Sequence, residues 1–128
     1  MKVNLYDKSS GLGSEQINVI QDFLRFCQKN SPLKKDVDIQ LLGERFGKMT
    51  TGSEILGRIK VLASGRMLID ILRTLSHEWV HEYQRDVLKW KHGSDIGGRN
   101  EDMANSEAGA LMKMFEKIYP GLEDKMYE

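Results

Sequence analysis

Between residues 66 and 90, apolar side chains recur at three- and four-residue spacing: Leu68, Leu72, Leu75, Trp79, Tyr83, Val87 and Trp90. At roughly 100° per residue they fall on one stripe, so this stretch reads as a long amphipathic helix that must bury one face. Ser64-Gly65 opens the helix, and residues 91–100, with Gly93, Gly97 and Gly98, read as a loop beyond it. A helix of this length in a 128-residue chain leaves few ways to fold, because every other element has to help cover its stripe.

The opposite side of the same helix carries His77-Glu-Trp-Val-His81. The two histidines lie about 160° from the centre of the apolar stripe, on the side shared with Asp70, Thr74, Glu78 and Arg85. Four residues apart on one helix face, two imidazoles can share a tetrahedral Zn²⁺. Glu78 stands between them, within reach of a water bound to the same ion. A bare pair of histidines on a polar face is ordinarily just solvated. The intervening glutamate and the position deep inside a long helix argue for a metal site.

Zinc in a catalytic site needs a third protein ligand and an open position for water. The metzincin extension of the motif is excluded, because Gln84 and Val87 stand where glycine and histidine are required. His92 is the remaining histidine, and it sits in the glycine-containing loop near the helix end. The stronger candidate lies on a last helix over residues 101–119, whose apolar stripe is Ala104, Ala108, Leu111, Met112, Phe115 and Ile118. Glu101 projects within roughly 50° of the centre of that stripe. An inward carboxylate without a partner is costly, and a cation held by two neutral imidazoles would supply one. Glu107, at the stripe's border, is its rival, and a first-turn glutamate favoured by the helix dipole is the simpler explanation of Glu101.

Upstream, residues 8–13 read as a flexible loop and Ser14 as the cap of a helix running to about Asn30, with Ile17, Ile20, Phe23, Leu24 and Cys27 on one face. Ser31-Pro32 ends it. Val37, Ile39 and Leu41 alternate with polar residues, residues 49–54 form a weaker strand with Gly52 marking a bulge or a close backbone approach, and residues 58–62 form a third. The expected architecture is α+β: a small antiparallel sheet of about three strands packed with an N-terminal helix, the long site-bearing helix and a C-terminal helix.

Composition narrows the partners. Hydrophobic residues make up 40% of the chain, enough for one domain over residues 1–128 with a modest core. Nineteen basic and nineteen acidic side chains cancel, so no global field draws the chain to nucleic acid or an anionic membrane. The apolar runs are too short to span a bilayer, and the N-terminus has no stretch of signal-peptide length. Cys27 is the single cysteine, which excludes an intramolecular disulfide and a Cys₂ or Cys₄ zinc site. It reads as a buried, inert thiol, and the expected location is cytoplasmic.

His77-Glu-Trp-Val-His81, followed after nineteen residues by Glu101-Asp-Met-Ala-Asn105, resembles the HExxH…ExxA(D/N) arrangement of gluzincin zinc metallopeptidases, and most of all the minigluzincins. The run from Glu101 to Met112 is similar to the ExxANxxAxxLM signature of the ImmA/IrrE-type peptidases, cytoplasmic proteins common in bacteria, phages and mobile elements that cleave repressor-like regulators. The similarity covers about residues 48–115. It implies that His77, His81 and Glu101 bind Zn²⁺, that Glu78 is the general base and that Asn105 supports a ligand by a hydrogen bond. The chain departs from the pattern at Glu107, where phenylalanine is common, and nothing in it resembles a DNA-binding or sensor domain.

The expected function is therefore a zinc-dependent metallopeptidase acting on a protein or peptide. Zinc would acidify a water and polarise the scissile carbonyl, Glu78 would shuttle the proton, and a strand from residues 48–56 or 58–62 would pair with an extended substrate. Arg85, His92, Arg99 and Tyr119 are the candidates for stabilising the oxyanion. The alternative is a zinc-stabilised binding or regulatory module that keeps the motif with little or no catalysis. A deformylase fits less well, because Cys27 lacks the strand context of that family's cysteine ligand.

Overall fold

A computed structural model describes residues 1–45, 47, 49–91, 98–119 and 121–122. Seven elements follow in order: β1 (Val3–Lys8), α1 (Ser14–Asn30), β2 (Val37–Leu42), β3 (Gly52–Ile55), β4 (Arg58–Leu62), α2 (Leu68–Asp86) and α3 (Arg99–Ile118). The fold is α+β with three helices. The sheet, however, has four strands in the order β1-β2-β4-β3, and it is mixed rather than antiparallel. β1 and β2 run parallel, β2 and β4 run parallel, and only the β3–β4 hairpin is antiparallel.

Both corrections have a local cause. β1 reads Val-Asn-Leu-Tyr-Asp-Lys, with only Val3 and Leu5 packed against the core, so its alternation is too brief to register as a strand. Once β1 exists, α1 becomes the crossover of a β-α-β unit, and such a connection delivers the next strand parallel. The segment between β1 and α1 is also ordered by its own contacts. Ser10 is buried, and Asp7 Oδ1 accepts hydrogen bonds from its N–H at 3.0 Å and its hydroxyl at 2.6 Å. Gly13, not Ser14, is the N-cap of α1, and Gln16 Oε1 accepts from its N–H at 3.1 Å.

Register aligns the inward side chains of all four strands. Val3 pairs with Val37, Leu5 with Ile39, Ile39 with Ile59 and Leu41 with Val61. The buried Val37, Ile39, Leu41, Ile59 and Val61 share one core with residues of all three helices, while Asp38, Gln40, Arg58 and Lys60 occupy the other face. α2 packs on α3 and on β3 and β4, and α1 touches both other helices. An aromatic cluster joins α1 to α3, with Phe115 5.0 Å from Phe23 and 5.4 Å from Phe26 between ring centroids. Cys27 is fully buried, and that burial pushes its thiol pKa up. Among the described residues no helix is long and apolar enough to cross a membrane.

α2 is shorter than the 66–90 pattern implied, ending at Asp86 with Val87 as its C-cap, and its buried arc is wider. Ile69, Ile71, Leu72, Leu75, Trp79 and Val80 are all within it, and so are the polar Glu82, Gln84 and Asp86. Glu82, Asp86 and Trp79 each have a structural partner, with one oxygen of Asp86, Oδ1, left without one among the described residues. Trp79 Nε1 donates to Ser31 O at 3.0 Å, and Asp86 Oδ2 accepts from the N–H groups of Lys34 and Lys35 at 2.7 and 2.9 Å. Glu82 takes the N–H of Gly57, at the tip of the β3–β4 hairpin, with both oxygens at 3.0 and 2.9 Å. Gly57 has φ +87°, a conformation glycine adopts without strain.

β3 contributes an acidic side chain to the same layer. The Glu54 side chain is 2% exposed and pairs with Arg85 Nε at 3.1 Å. Burial pushes its carboxyl from the ordinary 4.5 up to about 8, a hydrogen bond with Glu82 adds to the rise, and Arg85 opposes it. Glu54 thus keeps in the folded protein a proton that the unfolded chain releases above pH 4.5, so this group's contribution to stability falls as pH rises through 4.5 to about 8 and is then flat. Urea unfolding of metal-free protein is expected to show a steeper loss of stability between pH 7 and 8 for the wild type than for Glu54→Gln. Identical slopes would place the proton elsewhere.

Candidate metal centre

His77 and His81 sit in the middle of α2, one turn apart, with their Nε2 atoms 3.1 Å from each other. Glu101 enters from the first turn of α3 and spans the pair, its Oε2 3.2 Å from His77 Nε2 and its Oε1 2.8 Å from His81 Nε2. The three residues form a cluster whose ligand atoms all lie within 4.8 Å of one another. Two ligand atoms sharing a tetrahedral zinc, each about 2.0–2.1 Å from it, are about 3.3–3.4 Å apart. The donor set and its spacing fit such an ion. Glu107 lies outside this cluster, exposed on α3. Glu101 is not buried in the core either: 38% of its side chain is exposed, and it faces the histidines.

A buried hydrogen-bond chain fixes His81. Gln84 is fully buried, and its Nε2 donates to Asn100 O at 2.8 Å while its Oε1 lies 3.0 Å from His81 Nδ1. With the amide nitrogen committed to Asn100, the oxygen faces the ring, so His81 Nδ1–H is the donor and the Nε2 lone pair points to the cluster. The same glutamine ties α2 to the residue immediately before Glu101. His77 is held on its other flank by a hydrogen bond with Asn105. Burial lowers the His77 pKa, the neighbouring His81 lowers it further, and Glu101 opposes both. A neutral imidazole is the form that ligates a metal.

Glu78, together with His77, lines a cleft of about 650 Å³ between α2, α3 and the start of β3. Burial raises its carboxyl from 4.5 to about 7, with the negative charge of Glu101 as the second cause. β3 comes unusually close here. A Cβ on Gly52 would stand 2.5 Å from Thr74 Cγ2 and 3.2 Å from Glu78 Cγ, so only glycine lets the strand lie against the helix at this point.

Strand order decides which edge is open. β4 is enclosed between β2 and β3, and β3 is outermost. Leu62 N–H donates to Thr51 O at 2.8 Å, and hydrogen bonding alternates along an antiparallel pair, so Gly52 turns its own N–H and C=O away from β4. The open edge of the sheet therefore passes directly beside Glu78.

The expected oxyanion donors are elsewhere. Arg85 pairs with Glu54, Arg99 stacks on Trp90 with 4.1 Å from Cζ to the ring centroid, and Tyr119 packs on Phe115 at 5.2 Å. None of the three lines the cleft, whose donors include Arg73, Asn105 and Lys113 with the threonines of residues 50, 51 and 74. His92 lies outside the described residues. Of the two alternatives at Gly52, a bulge or a close backbone approach, the structure has the close approach, against Thr74 and Glu78; Gln84 was not foreseen. The one sequence signal for Gln84 was an amide three residues beyond His81, on the same helix face.

No protein-family model, no curated protein and no solved structure matches this chain. The resemblance to gluzincins rests on the motif residues and their arrangement.

Two outcomes test the centre. Glu101→Ala is expected to weaken zinc binding in a chelator competition assay, whereas Glu107→Ala leaves it near wild type; the reverse order would make Glu107 the ligand. Gln84→Met, close in volume but unable to accept from His81, should lower zinc affinity about 10–100-fold. Unchanged affinity would remove the Gln84–His81 bond from the site.

Proposed function

We propose that this protein is a zinc-dependent peptidase, with His77, His81 and Glu101 as metal ligands and Glu78 as the general base. The observation that carries the proposal is the pairing of two things at one place: a compact His-His-Glu cluster, and a buried carboxylate beside it that lines an open cleft. A site that only stabilised the fold would have no use for that carboxylate. A bound zinc would supply Lewis acidity, polarising a substrate carbonyl and lowering the pKa of a water.

The chain's own residues supply the rest. Glu78 accepts the proton of the attacking water and delivers it to the departing amine. Gln84 and Asn105 hold the two imidazoles in their ligating orientation. The β3 edge offers main-chain hydrogen bonds to an extended peptide, and Gly52 lets that peptide run within reach of Glu78. Peptide specificity read by one strand edge and one cleft suits a chain of this size. A cytoplasmic setting goes with the proposal, since the single thiol is buried and has no partner for an intramolecular disulfide.

Metal analysis joined to digestion of a peptide library separates this from the alternative of a zinc-stabilised binding module. Glu78→Gln is expected to retain one zinc per chain and to lose about 10²–10⁴-fold in cleavage rate. A variant that cleaves as fast as the wild type would remove Glu78 from the mechanism. A wild-type protein that holds zinc and binds peptides without cleaving any would favour the binding module.

A further inference from the structure

The nineteen basic and nineteen acidic side chains cancel over the whole chain, but the fold does not spread them evenly. One end of the molecule combines the starts of β1, β2 and β4 with the β3–β4 turn and the residues just past α2. Hydrogen bonds hold these pieces together. Asp36 Oδ1 accepts from Lys2 N–H at 2.7 Å, and Asp86 Oδ2 accepts from the N–H groups of Lys34 and Lys35. Arg58 is in register with Asp38 across the sheet, and Lys89, with φ +60°, occupies the turn after α2.

Lys2, Lys34, Lys35, Arg58 and Lys89 are all exposed, and among the described residues none of them is in an ion pair. The carboxylates of the same end are engaged or turned inward. Asp36 is exposed and takes the Lys2 N–H, while the half-buried Asp38 accepts from Asn4 Nδ2 at 3.1 Å. Glu82 and Asp86 are buried, and Glu54 is buried against Arg85. The surface of this end is therefore basic.

Beside these cations two adjacent aliphatic side chains protrude. Ile55 is 59% exposed and Leu56 48%, at the tip of the β3–β4 hairpin. Gly57 holds that tip in place from both sides, its N–H on the Glu82 carboxylate and its C=O on the N–H of Asp38 at 2.9 Å.

We propose that this end is a peripheral docking surface for an anionic lipid bilayer. Ile55 and Leu56 enter the boundary between headgroups and acyl chains, and the cations lie against the headgroups. The inference is independent of the peptidase reading. Protein interfaces are depleted of lysine, and their anchors are aromatic and arginine side chains seated in pockets. Here the cations are lysines except for Arg58, and the apolar part is a projecting tip. A bilayer asks for no fixed partner geometry, which suits compact ammonium charges on flexible stems. Anionic lipids belong to the cytoplasmic leaflet, in keeping with the expected location. On α2 this end lies about 12 Å beyond Glu78 along the helix axis. The cleft faces the other half of that helix, at Arg73, Thr74 and His77, and stays open.

The test is co-sedimentation with vesicles of phosphatidylcholine containing about 30% phosphatidylserine, against vesicles of phosphatidylcholine alone. The wild type is expected to bind the anionic vesicles at least about tenfold more tightly and to be released by high salt. Lys34→Gln combined with Lys35→Gln keeps both backbone bonds to Asp86 and should weaken binding about 25-fold, since each basic residue near such a surface contributes about fivefold. Leu56→Ser should weaken it about fivefold. Unfolding midpoints near that of the wild type show that both variants are folded.

Equal binding to the two vesicle types, or anionic vesicles that hold the lysine variant as well as the wild type, overturns the proposal. Loss with the lysines but none with Leu56→Ser overturns insertion of the hairpin tip. The same protein is titrated with a polyglutamate peptide. Binding of that peptide through Lys34 and Lys35, without binding of the vesicles, would make this end a face for an acidic protein and also overturns the proposal.

Discussion

A polar side chain buried on a helix must meet a partner where the packing puts it, or the fold loses the hydration of that group without return. α2 buries several at once, and their partners lie in three different parts of the chain. Trp79 and Asp86 hold the segment between α1 and β2, Glu82 holds the tip of the β3–β4 hairpin, and Gln84 holds the beginning of α3. With those bonds made, α2 can rotate or slide only by breaking them. His77 and His81 are on this same helix, so the constraint that settles the fold also settles where their imidazoles point.

Gln84 shows how tightly the two are joined. Its amide is shared between the His81 ring and the backbone carbonyl of Asn100, the residue next to Glu101. One side chain thus sets the tautomer of His81 on α2 and the position of Glu101 on α3. Glu101 reaches the cluster through a helix–helix contact rather than through a local motif. On the opposite side of the motif, β3 approaches so closely that a methyl group at residue 52 would not fit. Between these two contacts Glu78 is enclosed on the protein side and exposed only to the cleft, which is the arrangement a proton-transferring carboxylate requires.

The sheet supplies the counterpart. Because β4 is enclosed and β3 is outermost among the described residues, that edge of the sheet runs past Glu78. The Glu54–Arg85 pair anchors that edge strand to α2 on its inward face.

Much of this was legible in the residues. Helical periodicity located all three helices, and alternation located β2 and β4, because each has a face buried strongly enough to impose its period on the sequence. β1 escaped notice because an edge strand needs only Val3 and Leu5 to stay in place, and the mixed topology escaped with it. The ends of α2 were overread: Val87 and Trp90 continue the apolar spacing past the last helical turn, and spacing alone does not report where a helix stops.

By itself, the sequence determined the chemistry that can occur: two imidazoles a turn apart with a carboxylate between them is a property of the α-helix, whatever surrounds it. Only the tertiary structure decided which distant carboxylate joins them, what orients His81, and which strand edge meets Glu78. Those depend on contacts between residues far apart in the chain, and local spacing carries no information about a distance that packing alone sets.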